Sequence, residues 1–167
     1  MEVCSVAGKS AKLGLDRIDR KILSLLQEDG RMANVDLAKQ VNLSPTPCLE
    51  RVKRLEREGY IRQYTALLDA DKLDLTLVAY IQVTLENTST RDLDNFNNEA
   101  RRLAEVQECH MVAGGFDYMI KIRVSGMNHF RRFLGEKLSG LPGVRETHTY
   151  VVIQEVKSET AISVPKL

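Results

Sequence analysis

The apolar residues of this 167-residue chain keep helical spacing as far as Gly59 and change to strand spacing from Leu75 onward. A chain that changes period in this way has two units to build, one of helices and one in which strands and helices alternate. In the first unit Leu15, Ile18, Ile22, Leu25 and Leu26 predict a helix over 15–26, which Gly30 closes. Asn34 is placed to cap a second helix burying Leu37, Ala38 and Val41. Only Asn42-Leu43 separates it from Ser44, a further capping residue, followed by Pro45 and Pro47, which a first helical turn tolerates. The third helix is expected to bury Leu49, Val52 and Leu55 and to stop at Gly59. Residues 60–68 read as extended and 69–74 as a polar link.

The second unit reads β-α-β-β-α-β, the ferredoxin-like order. Its strands are expected over 75–86, 108–113, 117–124 and 147–156. One helix is expected over 92–106, with Leu93, Phe96, Ala100 and Leu103 on one face. The other is expected over 127–138, carrying Met127, Phe130, Leu134 and Leu138. Gly114-Gly115-Phe116 turns the second strand into the third, and Leu141-Pro142-Gly143 leads into the last. The organisation is an arm at 1–14, a helical domain at 15–64, a linker at 65–74, a mixed domain at 75–157 and a tail at 158–167 without clear period.

Composition agrees with a globular protein, at 43% hydrophobic and 28% charged residues. Trp is absent, so the core falls to Leu, Ile and Val. The net charge of +1 hides an asymmetry. Residues 1–64 hold 12 basic and 9 acidic side chains, whereas 65–167 hold 12 and 14, so an anionic partner belongs with the first unit. Cys4, Cys48 and Cys109 match no zinc or redox spacing and read as reduced thiols. No signal-peptide pattern or membrane-length apolar run occurs, since the stretch 75–85 is broken by Thr76, Gln82 and Thr84. The expectation is a cytoplasmic protein without membrane contact.

Enzyme readings find little support. His110, His129 and His148 fall on separate elements, away from any nucleophile motif or metal spacing. His110 and its neighbour Cys109 point to opposite faces of a strand. No phosphate-binding loop or dinucleotide fingerprint is present, and Gly114-Gly115 lacks the helix that a phosphate cradle needs.

Two short helices joined by a tight turn are compatible with helix-turn-helix DNA binding. At 100° per residue, Leu49, Val52 and Leu55 share one face of the third helix, while Arg51, Arg54 and Arg57 cluster on the opposite one, with Lys53 at the flank. A major groove needs that division, an apolar face to dock the helix and long donors on the other. The first turn, 44–48, offers hydroxyl groups and free backbone N–H groups for phosphate. The same pattern also fits an ordinary amphipathic helix whose basic face is paired with Glu50, Glu56 and Glu58.

The segments LDRIDRKIL (15–23), QEDGR (27–31), LSPTPCLERVKRLEREGYI (43–61), YTALL (64–68), VQECHMVAGGFDYMIK (106–121) and LPGVRETHTYVV (141–152) closely resemble the Lrp/AsnC family of transcriptional regulators. The resemblance runs from about Leu15 to Lys157. It implies an α+β chain, with an N-terminal winged-type helix-turn-helix domain and a C-terminal ferredoxin-like domain that dimerises and senses an amino acid. Asn34, Ser44, Pro45, Thr46, Pro47, Arg51, Lys53, Arg54 and Arg57 are then the candidate DNA-binding residues. Arg51 and Arg54 are expected at base edges, and Ser44, Thr46 and Arg57 at phosphates.

An amino acid needs an anion for its ammonium group, N–H donors for its carboxylate and a surface for its side chain. Asp117 is suited to the first and Gly114-Gly115 to the second, with Met111, Met127, Tyr150, Val151 and Val152 lining the rest. The resemblance places these positions around an interface between dimers. The chain departs from the family at Gly115, where an acidic residue commonly precedes the Phe-Asp pair. The alternative is a plain hairpin turn beside a packing surface.

The function expected is a sequence-specific regulator of amino-acid metabolism genes, associated with the nucleoid, needing no cofactor besides an amino-acid effector such as leucine. Its partners would be double-stranded DNA and further copies of the chain, as dimers building octamers or larger assemblies. The alternatives are an architectural protein that bends DNA with little sequence preference and an amino-acid-sensing accessory to an enzyme.

Overall fold

Asp16 opens the first helix, α1 (Arg17–Glu28), through a capping box. Its carboxylate accepts the Asp19 N–H at 2.8 Å, and the Asp19 carboxylate accepts the Asp16 N–H at 3.0 Å. In the computed structural model, which describes residues 14–165, α1 ends at Asp29 in extended conformation and not through a left-handed Gly30. Most of the arm 1–14, including Cys4, therefore lies outside the described residues. Helix α2 (Asn34–Gln40) is preceded by Ala33, so Asn34 is its first residue and not its cap. The Asn34 side chain instead donates to the Pro45 carbonyl at 2.8 Å, tying α2 to the start of α3 (Pro45–Arg57).

The tight turn between α2 and α3 is a Schellman motif. Asn42 is left-handed, with φ 56°, the Leu43 N–H reaches the Ala38 carbonyl, and the Asn42 N–H reaches that of Lys39. Gly59 closes α3 by the same device, with φ 77° and bonds from Tyr60 to Leu55 and from Gly59 to Glu56. The core of this unit joins Leu15, Ile22, Leu37, Ala38, Val41, Cys48 and Leu55. Residues 62–68, within the segment expected as extended, run on without strand partners. Residues 159–165, which show no period in sequence, belong to this unit as well. The Gln27 side chain bonds both the N–H and the carbonyl of Ile162, and Arg20 donates to the Pro165 carbonyl.

The other unit comprises residues 68–158. It contains β1 (Leu77–Leu85), α4 (Thr90–Ala100), β2 (Val106–Met111), β3 (Tyr118–Val124), α5 (Met127–Arg132) and β4 (Val144–Val151). The sheet is fully antiparallel in the order β2-β3-β1-β4, as a ferredoxin-like fold requires. Strict alternation in β3 sends Tyr118, Ile120, Ile122 and Val124 to one face, where they meet Phe96 and Ala100 of α4 and Phe130 of α5. Phe96 stacks on Tyr118 with ring centroids 4.4 Å apart. Each such side chain contributes about 1.5–3 kcal/mol when fully buried.

Several elements differ from expectation. Helix α4 ends at Ala100, six residues early, and Leu103 packs from the turn that follows. The last helix is α-helical only to Arg132 and continues over Phe133–Leu138 in the wider π form, which places Phe133 in the core while Met127 stays exposed. Strand β2 runs from Val106 to Met111, two residues earlier than expected. Strand β4 starts at Val144 and stops at Val151, so Val152 lies just past it, holding one bond to the Val78 carbonyl.

Candidate functional site

Helix α3 sorts its side chains by depth. Cys48 and Leu55 are fully buried and Val52 partly so, whereas Leu49, expected inside, is 40% exposed. Replacing Leu49 with Cys48 turns the buried stripe by about 30° relative to one drawn through Leu49, Val52 and Leu55. That rotation carries Arg51 and Arg54 toward the body of the domain. Thr46, Glu50, Lys53 and Arg57, spaced four, three and four apart, become the outermost stripe, and all four are exposed. Glu50 is the member that the sequence reading missed.

The expectation that Arg51 and Arg54 stand free on the outer face is therefore corrected. The Asp19 carboxylate, only 1% exposed, accepts a hydrogen bond from Arg51 Nη1 at 2.8 Å and forms an ion pair with Arg54 Nη2 at 2.5 Å. Arg51 also meets Asp16 at 2.6 Å. Burial works to raise the Asp16 carboxyl, but the Asp19 N–H and Arg51 outweigh it and hold the group below its ordinary range. Lys53 keeps only a loose 3.6 Å pairing with Glu50 on the surface.

The start of α3 offers less than the sequence suggests. Ser44 sits at the cap position, but its hydroxyl makes no capping bond and stays exposed. Pro45 and Pro47 have no N–H, and that of Cys48 bonds the Ser44 carbonyl. Thr46 supplies the backbone donor left in this turn, at the positive end of the helix.

In the sheet domain the Gly114-Gly115 turn has open space where a Cβ would stand at either glycine, and neither residue is left-handed. The Asp117 carbonyl closes the turn by accepting the Val112 N–H at 2.9 Å, but its side chain bonds elsewhere. Its Oδ2 accepts the Leu85 N–H at 2.7 Å, which fixes the end of β1. Met111, beside this turn, is 56% exposed.

The remaining candidates do not join this group within one chain. Met111 ends β2 and Val151 ends β4, the two edge strands of the sheet. Three strand spacings separate those edges, about 14 Å. Tyr150 pairs with Tyr80 and Val151 with Ala79, whereas Asp117 bonds the opposite end of β1 through Val83 and Leu85. Met127 follows the far end of β3. Met127, Tyr150 and Val151 are exposed apolar side chains.

Each histidine faces a carboxylate: His110 Glu108, His129 Glu105 and His148 Glu146. The register places Cys109 and His110 on opposite faces of β2, as expected. Among the described residues no group of three or more His, Cys, Asp and Glu side chains is arranged to hold a metal ion, and no helix is long and apolar enough to cross a membrane.

Comparison with known proteins now bears on both units. Residues 15–62 match the model of a winged helix-turn-helix DNA-binding domain, and residues 78–162 match that of the Lrp/AsnC ligand binding domain. The chain belongs to the Lrp/AsnC family. It is 53% identical to the leucine-responsive regulatory protein of Escherichia coli over 148 residues, which covers 89% of this chain and 90% of that protein. Among solved structures it is similar to a transcriptional regulator from Neisseria meningitidis in complex with L-methionine. That match has a TM-score of 0.85 at 38% identity and covers 89% of this chain and 96% of the other. An AsnC family regulator from Agrobacterium tumefaciens matches at the same TM-score with 31% identity, covering 89% and 97%. This Lrp/AsnC member is a DNA-binding transcriptional regulator.

Proposed function

We propose that this regulator reads DNA through the outer stripe of α3 and answers to leucine or a related amino acid bound by its sheet domain. The observation that carries the reading is the exposed Thr46, Glu50, Lys53 and Arg57 stripe on the third helix of a winged helix-turn-helix domain. Lys53 and Glu50 are placed for base edges, a donor for guanine and an acceptor for the cytosine amino group. Arg57, Ser44 and the Thr46 N–H hold phosphates and set the register, with Pro45 and Pro47 fixing the turn that presents them. Asn34 serves from behind, through its bond to Pro45.

For the effector, Asp117 faces the ammonium group, and the uncovered Gly114-Gly115 backbone receives the carboxylate. Met111 lines this end. Met127, Tyr150, Val151 and Val152 complete the pocket from another copy of the chain, because the two groups lie apart in a single one. Paired subunits present two reading helices to a near-palindromic site about one helical turn apart. The amino acid shifts the balance between assemblies by binding one of them more tightly. No catalysis and no further cofactor enter this reading, and a cytoplasmic, nucleoid-associated place suits it.

The test is footprinting on genomic fragments with and without each amino acid, with assembly size followed by sedimentation. Discrete protected sites and an amino-acid-dependent change in size support the reading. Uniform coverage of all fragments favours an architectural DNA-bending role, and discrete sites with no response to any amino acid remove the sensing half.

A further inference from the structure

We propose that Asp19 is a positioning and specificity residue for DNA recognition, holding Arg51 and Arg54 on α1 and withholding their charge from DNA phosphates. The inference rests on the reading of α3 as the helix that enters the groove. Asp19 is the third residue of α1, and its 1% exposure makes it the buried charged side chain among the described residues. Its Oδ1 accepts from Arg51 at 2.8 Å, and its Oδ2 accepts the Asp16 N–H at 3.0 Å and pairs with the Arg54 guanidinium at 2.5 Å. Asp16, itself 2.6 Å from Arg51, completes a cluster of two carboxylates and two guanidiniums with no net charge.

Two consequences follow from elementary electrostatics. An apolar stripe of Cys48, Val52 and Leu55 tolerates small rotations of α3 about its axis. A buried carboxylate shared by residues three apart on α3 does not, because breaking a buried pair leaves a charge without compensation. The cluster therefore fixes which side chains point outward. It also removes two positive charges from the surface nearest the DNA. Phosphate contacts strengthen binding to any sequence, so withholding them favours the specific site over random DNA.

The test uses the full-length protein and fluorescence anisotropy over a salt series, on a footprinted site and on a random duplex of equal length. Asp19→Asn keeps the size and one acceptor while removing the charge that restrains Arg54. On random DNA the logarithmic salt slope is expected to steepen by about one ion. The ratio of specific to random affinity is expected to fall about tenfold or more. Arg54→Met alone, which leaves Asp19 paired with Arg51, is expected to leave the slope unchanged, and Asp19→Asn/Arg54→Met to restore it. A simple loss of packing would lower affinity without steepening the slope.

The proposal is overturned if Asp19→Asn changes neither slope nor ratio, or if Arg54→Met alone flattens the slope by about one ion. Should Asp19→Asn fail to fold by circular dichroism, the Arg54→Met slope decides. Arg57→Ala separates this proposal from the reading beneath it. If the slope is insensitive to Arg57→Ala, the groove-reading helix itself is misassigned, whereas failure of the Asp19 variants alone leaves that helix in place.

Discussion

Cys48 is fully buried, and burial pushes its thiol above the ordinary range, with Arg51 acting in the opposite direction. Free cysteine packs as a small apolar residue, and this one fills the inner line of α3 that Leu49 leaves. A tally of large aliphatic residues overlooks it, which is why the basic face drawn from Leu49, Val52 and Leu55 is about 30° out. The scarcity of N–H groups in the first turn, by contrast, is legible from Pro45 and Pro47 alone. At the effector end the residue that carries a prediction is Gly115. Nothing lies within 4 Å of a Cβ built there, and its backbone is not left-handed, so Gly115→Ala is expected to keep or raise stability by about 0.4–1 kcal/mol. If an effector carboxylate approaches this backbone, the same substitution weakens amino-acid binding. Urea denaturation measures the first effect and calorimetric titration of leucine, alanine and methionine the second. Unchanged titration would remove the glycine turn from the site.

At the scale of elements, the turn between α2 and α3 depends on one left-handed residue, Asn42. Asparagine tolerates that conformation, whereas a β-branched side chain collides with its own backbone, at a cost of about 1–2 kcal/mol. Asn42→Val is therefore expected to lower the unfolding free energy measured in urea by that amount, and Asn42→Gly to leave it nearly unchanged. Equal behaviour of the two would mean that the Schellman bonds do not set the turn. Helix and strand identities were legible throughout, because hydrophobic period decides them. Their ends were less so. Helix α4 stops at Ala100 because the chain must turn there to lay β2 beside β3, a demand that local pattern does not carry. The π-helical Phe133–Leu138 segment likewise answers to the core, which takes Phe133, Leu138 and Leu141. Nor did the tail have a period to read, since side chains of α1 hold its backbone: Gln27 at Ile162 and Arg20 at Pro165.

For the whole molecule, the two units divide the work of an Lrp/AsnC regulator. The basic excess and the exposed stripe of α3 lie in residues 14–67, while the uncovered turn and Asp117 lie in residues 68–158. The sequence pattern drew the glycine turn, Asp117 and the β4 residues together as one pocket. It could not show that the glycine turn follows one edge strand, β2, while the β4 residues lie on the other, because strand order in the sheet is a property of the assembled fold. The most direct measurement is fluorescence anisotropy of a footprinted DNA site with wild type and Asp117→Asn, each with and without leucine, alanine and methionine. Asparagine retains an acceptor for the Leu85 N–H but loses the charge that an ammonium group needs, which is worth about 1.5–3 kcal/mol of effector binding. The account predicts wild-type affinity for DNA without amino acid and a response that is lost or displaced to much higher amino-acid concentration. An Asp117→Asn protein that responds as wild type does, or that fails to bind DNA even without amino acid, would contradict the separation of reading from sensing.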